Sequence, residues 1–245
     1  MSGSRPPVAV VLGATGTVGS EVTSRLVAAG HRVVAVARSE ARLLDLCQRL
    51  DPTGAAALPL VADVRSVAAA QQIIAASTAA FGEPPTVVIQ STARFSTGAL
   101  TETSDEEAHA IVDTMATGVH RLISALFADA TITSGHVVVI NSLAALAFNS
   151  SAAVYSLAQM ASRTLTDSLR TQLNPRGIRV TSVFSGRILG PLQERLVAEE
   201  GRELLPDHLL EGTDVVEAVF AALGASHRAE ITDITIRPMR PYPQG

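Results

Sequence analysis

Tyr155 and Gln159 stand four residues apart in a helical pattern, and Ser142 lies thirteen residues before the tyrosine, at the end of a strand-like run. Residues four apart share a helix face, so the phenol and the amide are neighbours. A serine hydroxyl at a strand end can meet them there. As chemistry, a phenol can give or take a proton, a hydroxyl can donate or accept a hydrogen bond, and an amide can hold a hydroxyl partner. Glutamine brings no charge, so the tyrosine is expected near its reference pKa of about 10 and protonated at neutral pH. A protonated phenol suits reduction of a carbonyl or imine better than oxidation of an alcohol, which benefits from a tyrosinate.

Other chemistries lack their patterns. His31, His109, His120, His136, His208 and His227 contain no i, i+4 pair and no metal-ligand spacing. No Gly-x-Ser-x-Gly elbow surrounds Ser142, and Asp105-Glu106-Glu107 reads as charge at a helix amino terminus. Cys47 is the one cysteine, which rules out an intramolecular disulfide and fits a reducing cytoplasm. A net charge of -4 with no Trp argues against a nucleic-acid surface, so a small-molecule substrate is expected. The opening seven residues lack a signal-peptide core, and no apolar run reaches the roughly 18 residues of a membrane span. Asn149-Ser150-Ser151 formally reads as a glycosylation acceptor, but a loop is the simpler account.

A second constellation, Gly13-Ala14-Thr15-Gly16-Thr17-Val18-Gly19, follows the first strand-like run and opens the first helix. Glycines there permit a tight turn and close backbone approach, and the helix amino terminus favours a pyrophosphate. The next strand ends Val36-Ala37-Arg38-Ser39, where an NAD site usually carries an acidic residue for the ribose diol. Arg38, with Arg42 one turn on, can instead pair with a 2'-phosphate, which favours NADP(H). Solvated surface arginines are the plainer alternative. Asp63-Val64 is placed to meet an adenine edge or to cap a helix.

These residues need a scaffold, and the alternation supplies one. Strand-like runs at 8–12, 32–37, 58–62, 87–91, 137–142, 179–184 and 231–236 alternate with helical patterns at 17–29, 39–50, 64–81, 104–128, 155–173 and 213–223. The strands are apolar on both faces, as in a parallel sheet covered by helices on both sides. The expected fold is a single-domain, doubly wound Rossmann α/β sheet of about seven strands over 1–245, with 190–212 as a substrate-covering insertion.

With this order in place the chain resembles the short-chain dehydrogenase/reductase family over nearly its whole length. The glycine turn, Asp63-Val64, Gln90-Ser91-Thr92-Ala93, Ser142, Tyr155, Ser185-Gly186 and the ending Glu230 to Pro238 fall in that family's order. The resemblance implies a nicotinamide cofactor held by the glycine turn, by Ser91, Thr92 and Ala93, by Tyr155 and Gln159, and by Gly186 and Ile188. It also implies a tetrad of Asn, Ser, Tyr and Lys, in which Gln159 stands at the lysine position and Met115 at the asparagine. The middle glycine, Gly16, falls one residue earlier than usual. Arg94 and Arg187 map beside the nicotinamide and substrate, where either can restore the missing charge or hold an anionic substrate; exposed loop arginines are the alternative. The family implies homodimers or homotetramers packed through the long helices. The reading that follows is an NADPH-dependent reductase of a carbonyl or imine. A non-redox cyclase, isomerase or dehydratase on the same pocket, or a non-catalytic NADP(H)-binding regulator, stays open beside it.

Overall fold

The computed structural model describes residues 7–96, 100–148, 152–199 and 201–242. The Asn149-Ser150-Ser151 acceptor and residues 1–6 lie outside them. Seven parallel strands form one sheet in the order β3-β2-β1-β4-β5-β6-β7. They are β1 (Ala9–Leu12), β2 (Val33–Ala37), β3 (Ala57–Val61), β4 (Val87–Gln90), β5 (Gly135–Ser142), β6 (Ile178–Ser185) and β7 (Asp233–Ile236).

Alternation along each strand divides the interior in two. Val10 and Leu12 join a core with Ile73, Val119, Leu122 and Ile123, beneath α3 (Ala69–Phe81), α5 (Gly118–Leu126) and α6 (Ala153–Leu173). Ala9 and Val11 face the opposite way, into a core with Val22, Leu26, Leu43 and Val215 from α1 (Thr17–Ala28), α2 (Glu40–Leu50) and α8 (Gly212–Leu223). Burying each such aliphatic side chain contributes about 1.5–3 kcal/mol, which explains why the central strands carry no polar face. The order reverses between β1 and β4, and there the carboxyl ends of the strands open a crevice.

Glycines close several elements as their positions suggest: Gly82 ends α3 at φ 83° and Gly177 precedes β6 at φ 77°. Three boundaries differ from the sequence pattern. The helix expected from 64 begins only at Ala69, because the Asp63 carboxylate accepts the Arg65 backbone N–H at 3.0 Å and the Arg65 guanidinium as well. That local bonding gives the backbone an alternative to a helical turn. The pattern at 104–128 becomes α4 (Asp105–Val112), a π-helical turn over Asp113–Thr117, and α5 ending at Leu126. Thr117 Oγ1 donates to Asp113 Oδ1 at 2.9 Å, and a Cβ on Gly118 would lie 2.5 Å from the Asp113 carbonyl oxygen. The segment 190–212 contains a helix of its own, α7 (Pro191–Glu199). Among the described residues no helix is long and apolar enough to cross a membrane.

Candidate active site

The first turn after β1 is built by backbone. Gly13 has φ +85°, and a Cβ there would lie 2.9 Å from the Ser91 main chain after β4; a Cβ on Gly19 would lie 2.1 Å from Gly13 O. The turn therefore presses against both β4 and its own helix, and neither position has room for a side chain. Gly16 is the N-cap of α1 and supplies no side-chain cap, so the first amides of the helix are left for a partner. An anion is the natural partner at such an end.

A cleft of about 240 Å³ opens beside this turn. Of the residues expected to hold a cofactor, Gly13, Thr15, Gly16, Arg38, Asp63, Val64, Ser91, Thr92 and Ala93 line it, joined by Arg42 and by Thr114. Thr114 was not expected from its type; its carbonyl accepts from Thr92 Oγ1 at 3.3 Å. Arg38 and Arg42 stand at the β2 rim, and Arg42 also donates to the Thr15 carbonyl, bracing the turn. Asp63 is committed to Arg65, whose guanidinium holds its carboxyl below the usual range, with help from the Arg38 charge. Ser39 serves as the N-cap position of α2, and Val18 and Gly19 are buried under the turn. A hollow of about 230 Å³ at the amino ends of β2 and β3 is lined by Arg32, but that guanidinium is spent on Phe81 O and Glu83.

The reactive end is built by side chains. Ser142 closes β5 in register with Ser185 of β6, and Tyr155 and Gln159 face it from the first two turns of α6. The structure brings the three together: Ser142 and Gln159 are the polar side chains beside the Tyr155 hydroxyl, and both act to lower its pKa. Burial pushes the Tyr155 pKa up, and the two polar neighbours offset only part of that rise. Tyr155 as a whole is partly exposed. Its ring also meets Phe95, with centroids 4.6 Å apart.

Asn141, which the sequence reading passed over, braces this corner. Its side-chain oxygen accepts from Ser142 N at 2.8 Å, its amide donates to Gln159 O at 3.4 Å, and its own carbonyl accepts from Ser185 Oγ at 3.1 Å. The sequence signal was an amide one residue before the serine; in the structure it is 3% exposed.

Met115 is 2% exposed, and its thioether sulfur accepts from Arg94 N at 3.4 Å. Arg94 does not stand as a free cation beside the phenol: its guanidinium pairs with Glu107 of α4, lowering the carboxyl pKa of Glu107 and raising that of Arg94. Arg187 lies with its guanidinium 5.2 Å over the Tyr242 ring. Gly186 packs against Arg237 and Pro238, and Ile188 forms a parallel bridge to Leu210.

The short chain dehydrogenase family profile matches residues 7–201. An uncharacterized oxidoreductase of Staphylococcus saprophyticus is 26% identical over 234 residues, 95% of this chain and 97% of that protein. One of Staphylococcus epidermidis is 27% identical over 240 residues, 98% and 100% of the two chains. Among solved structures, actinorhodin polyketide ketoreductase with NADPH superposes with a TM-score of 0.84 at 25% identity, over 97% of this chain and 98% of that one. An alcohol dehydrogenase from the archaeon Thermococcus sibiricus, complexed with 5-hydroxy-NADP, gives the same TM-score at 20% identity over 98% and 99%, a likeness of fold. The glycine turn, the serine at the β5 edge and the tyrosine of α6 thus sit within a chain that belongs to the short chain dehydrogenase family.

Proposed function

We propose that this protein is an NADPH-dependent reductase of a carbonyl or imine group in a small molecule. The observation that carries the reading is the Tyr155 phenol, which stands at the end of β5 with the neutral Ser142 and Gln159 as its polar neighbours and whose pKa burial raises. A phenol so placed stays protonated at neutral pH and is ready to donate. Ser142 orients the substrate oxygen or nitrogen, and Tyr155 releases its proton to that atom as negative charge develops there. Gln159 aligns the phenol through its amide and would hold a ribose hydroxyl. An iminium substrate would lean least on Tyr155, since it already carries its proton.

The cleft fits a dinucleotide by its own features: an uncapped helix amino terminus, a turn with no room for side chains, and a rim bearing Arg38 and Arg42. The uncapped amides of α1 would meet the pyrophosphate, and the two guanidinium groups a 2'-phosphate. NADPH, when bound, supplies the hydride. The ketoreductase solved with NADPH supports the same assignment by likeness.

Deuterium at the transferring C4 position of NADPH tests hydride transfer directly. The label is expected in the reduced product of a ketone and cyclic-imine panel. Product formed without NADPH oxidation would sink this reading and favour a second, in which the same phenol does proton chemistry as an isomerase, cyclase or dehydratase. The neutrality of both Tyr155 partners is what favours that second reading.

A further inference from the structure

The chain from Pro191 onward leaves the sheet, forms α7, and returns at Leu210 to the edge of β6. Both ends of this excursion sit on the first turn of α1. Gly190 backs onto Thr17, whose Oγ1 would lie 2.5 Å from a Cβ there, and Gly212 lies against Thr17 and Glu21. The return is stitched on its inner side: Leu189 N donates to Leu210 O at 2.7 Å, and Leu210 N donates to Arg187 O at 2.9 Å. Its outer side is held by the last residues of the chain. Tyr242 Oη donates to the Glu203 carbonyl and accepts from Leu205 N at 3.2 Å. His208 Nδ1–H donates to the Pro241 carbonyl at 2.8 Å, and Arg240 faces Asp207 at 3.6 Å.

One aromatic ring joins these pieces. The guanidinium carbons of Arg187 and Arg202 lie 5.2 Å and 4.7 Å from the Tyr242 ring centroid, and the His208 ring meets it edge-on at 6.1 Å. Arg187 follows Gly186 directly, and Gly186 is packed by Pro238 at the start of the same tail. The tail therefore grips the loop after β6 and the return of the cover together. Each contact alone is weak, as exposed cation–π contacts and neutral hydrogen bonds are. Their convergence on a single side chain makes that side chain decisive.

The geometry points to Tyr242 as a positioning residue, which straps residues 201–210 to Arg187 and so holds this excursion against the first turn of α1, where it would help retain a bound nucleotide. The role in retention rests on the cofactor reading above; the strap itself does not. Limited trypsin digestion reports the strap, because Arg202 is a cleavage point within the strapped segment. Tyr242→Ala is expected to speed cleavage after Arg202 about tenfold, with thermal unfolding near that of the wild type. Stopped-flow NADPH fluorescence is expected to show release about fivefold faster. Tyr242→Phe keeps the ring between the guanidinium groups but loses both hydroxyl bonds, so both rates should fall between those of the wild type and Tyr242→Ala.

In the unsubstituted protein, slow hydrogen exchange at the Leu205 amide checks the same contact without any variant. Cleavage and release unchanged in Tyr242→Ala, or fast exchange at Leu205, would overturn the strap. A wild-type protein that binds no NADPH at all would instead overturn the cofactor reading, and the trypsin and exchange measurements would still judge the strap.

Discussion

The two ends of the cleft are made from different parts of the chain. After β1 the main chain does the holding: glycines let the turn touch β4 and α1, and amides and a helix end face the cleft. After β5 three side chains, Ser142, Tyr155 and Gln159, stand together. A site made of main chain tolerates change in almost every residue except its glycines, whereas a site made of side chains changes chemistry with one substitution. This contrast explains how a chain can keep the dinucleotide turn while a neutral amide stands beside its phenol.

Four substitutions probe the contrast. Tyr155→Phe should divide the ends most sharply: turnover is expected to fall by roughly 10²–10⁴-fold, the usual worth of a general acid. NADPH affinity, measured by fluorescence titration, should hold within about twofold. A loss of affinity equal to the loss of turnover would mean the two ends are not separable. Gly19→Ala attacks the other end, forcing a Cβ to 2.1 Å from Gly13 O. It should cost a few kcal/mol of stability, about 3 by analogy with strained or overpacked sites, together with most of the NADPH binding; calorimetry and titration check both.

Arg38→Ala should weaken NADPH binding about 10–100-fold, the value of one charge-assisted hydrogen bond, and NADH binding much less. Equal losses for both cofactors would remove the 2'-phosphate assignment. Gln159→Lys tests the smallest step, a single charge. The buried Tyr155 phenol has its pKa raised, so its protonated form persists as pH climbs, and the wild-type reduction rate should stay flat beyond pH 10 while the protein remains folded. An ammonium four residues along favours the tyrosinate and should draw an alkaline limb down by a unit or more. A pH profile unaltered by Gln159→Lys would show that charge at this position does not set the phenol.

The sequence disclosed most of this scaffold through runs of Val, Ile and Ala that are apolar on both faces, which only a covered parallel sheet accommodates. The spacing of Tyr155 and Gln159 likewise placed them on one helix face, and the glycine turn was legible from its position between strand and helix. What stayed hidden depended on contacts across distance or on local competition. The Arg94–Glu107 pair links a loop to α4, and nothing in either neighbourhood announces it. Asp63 could be read as a cap, but its claim on Arg65 delayed α3 to Ala69. The grip of Tyr242 on residues 203 and 205 spans nearly forty positions, beyond any periodicity. Asn141 looked like one more polar residue at a strand end until its three bonds were seen.

The π-helical turn over Asp113–Thr117 carries a consequence for how the chain tolerates deletion. A π turn holds one residue more than an α turn, and one residue of helix corresponds to about 100° of rotation. The π turn absorbs that surplus within a single turn, so removing one residue from 113–117 would leave an unbroken α-helix with the downstream phase kept. Winding all of 113–117 as ordinary α-helix would instead turn everything downstream by about 100°, swinging Val119, Leu122, Ile123 and Leu126 off the core they fill. The surplus residue thus works as a phase setter: α4 can present Glu107 to Arg94 while α5 presents its apolar stripe to the sheet.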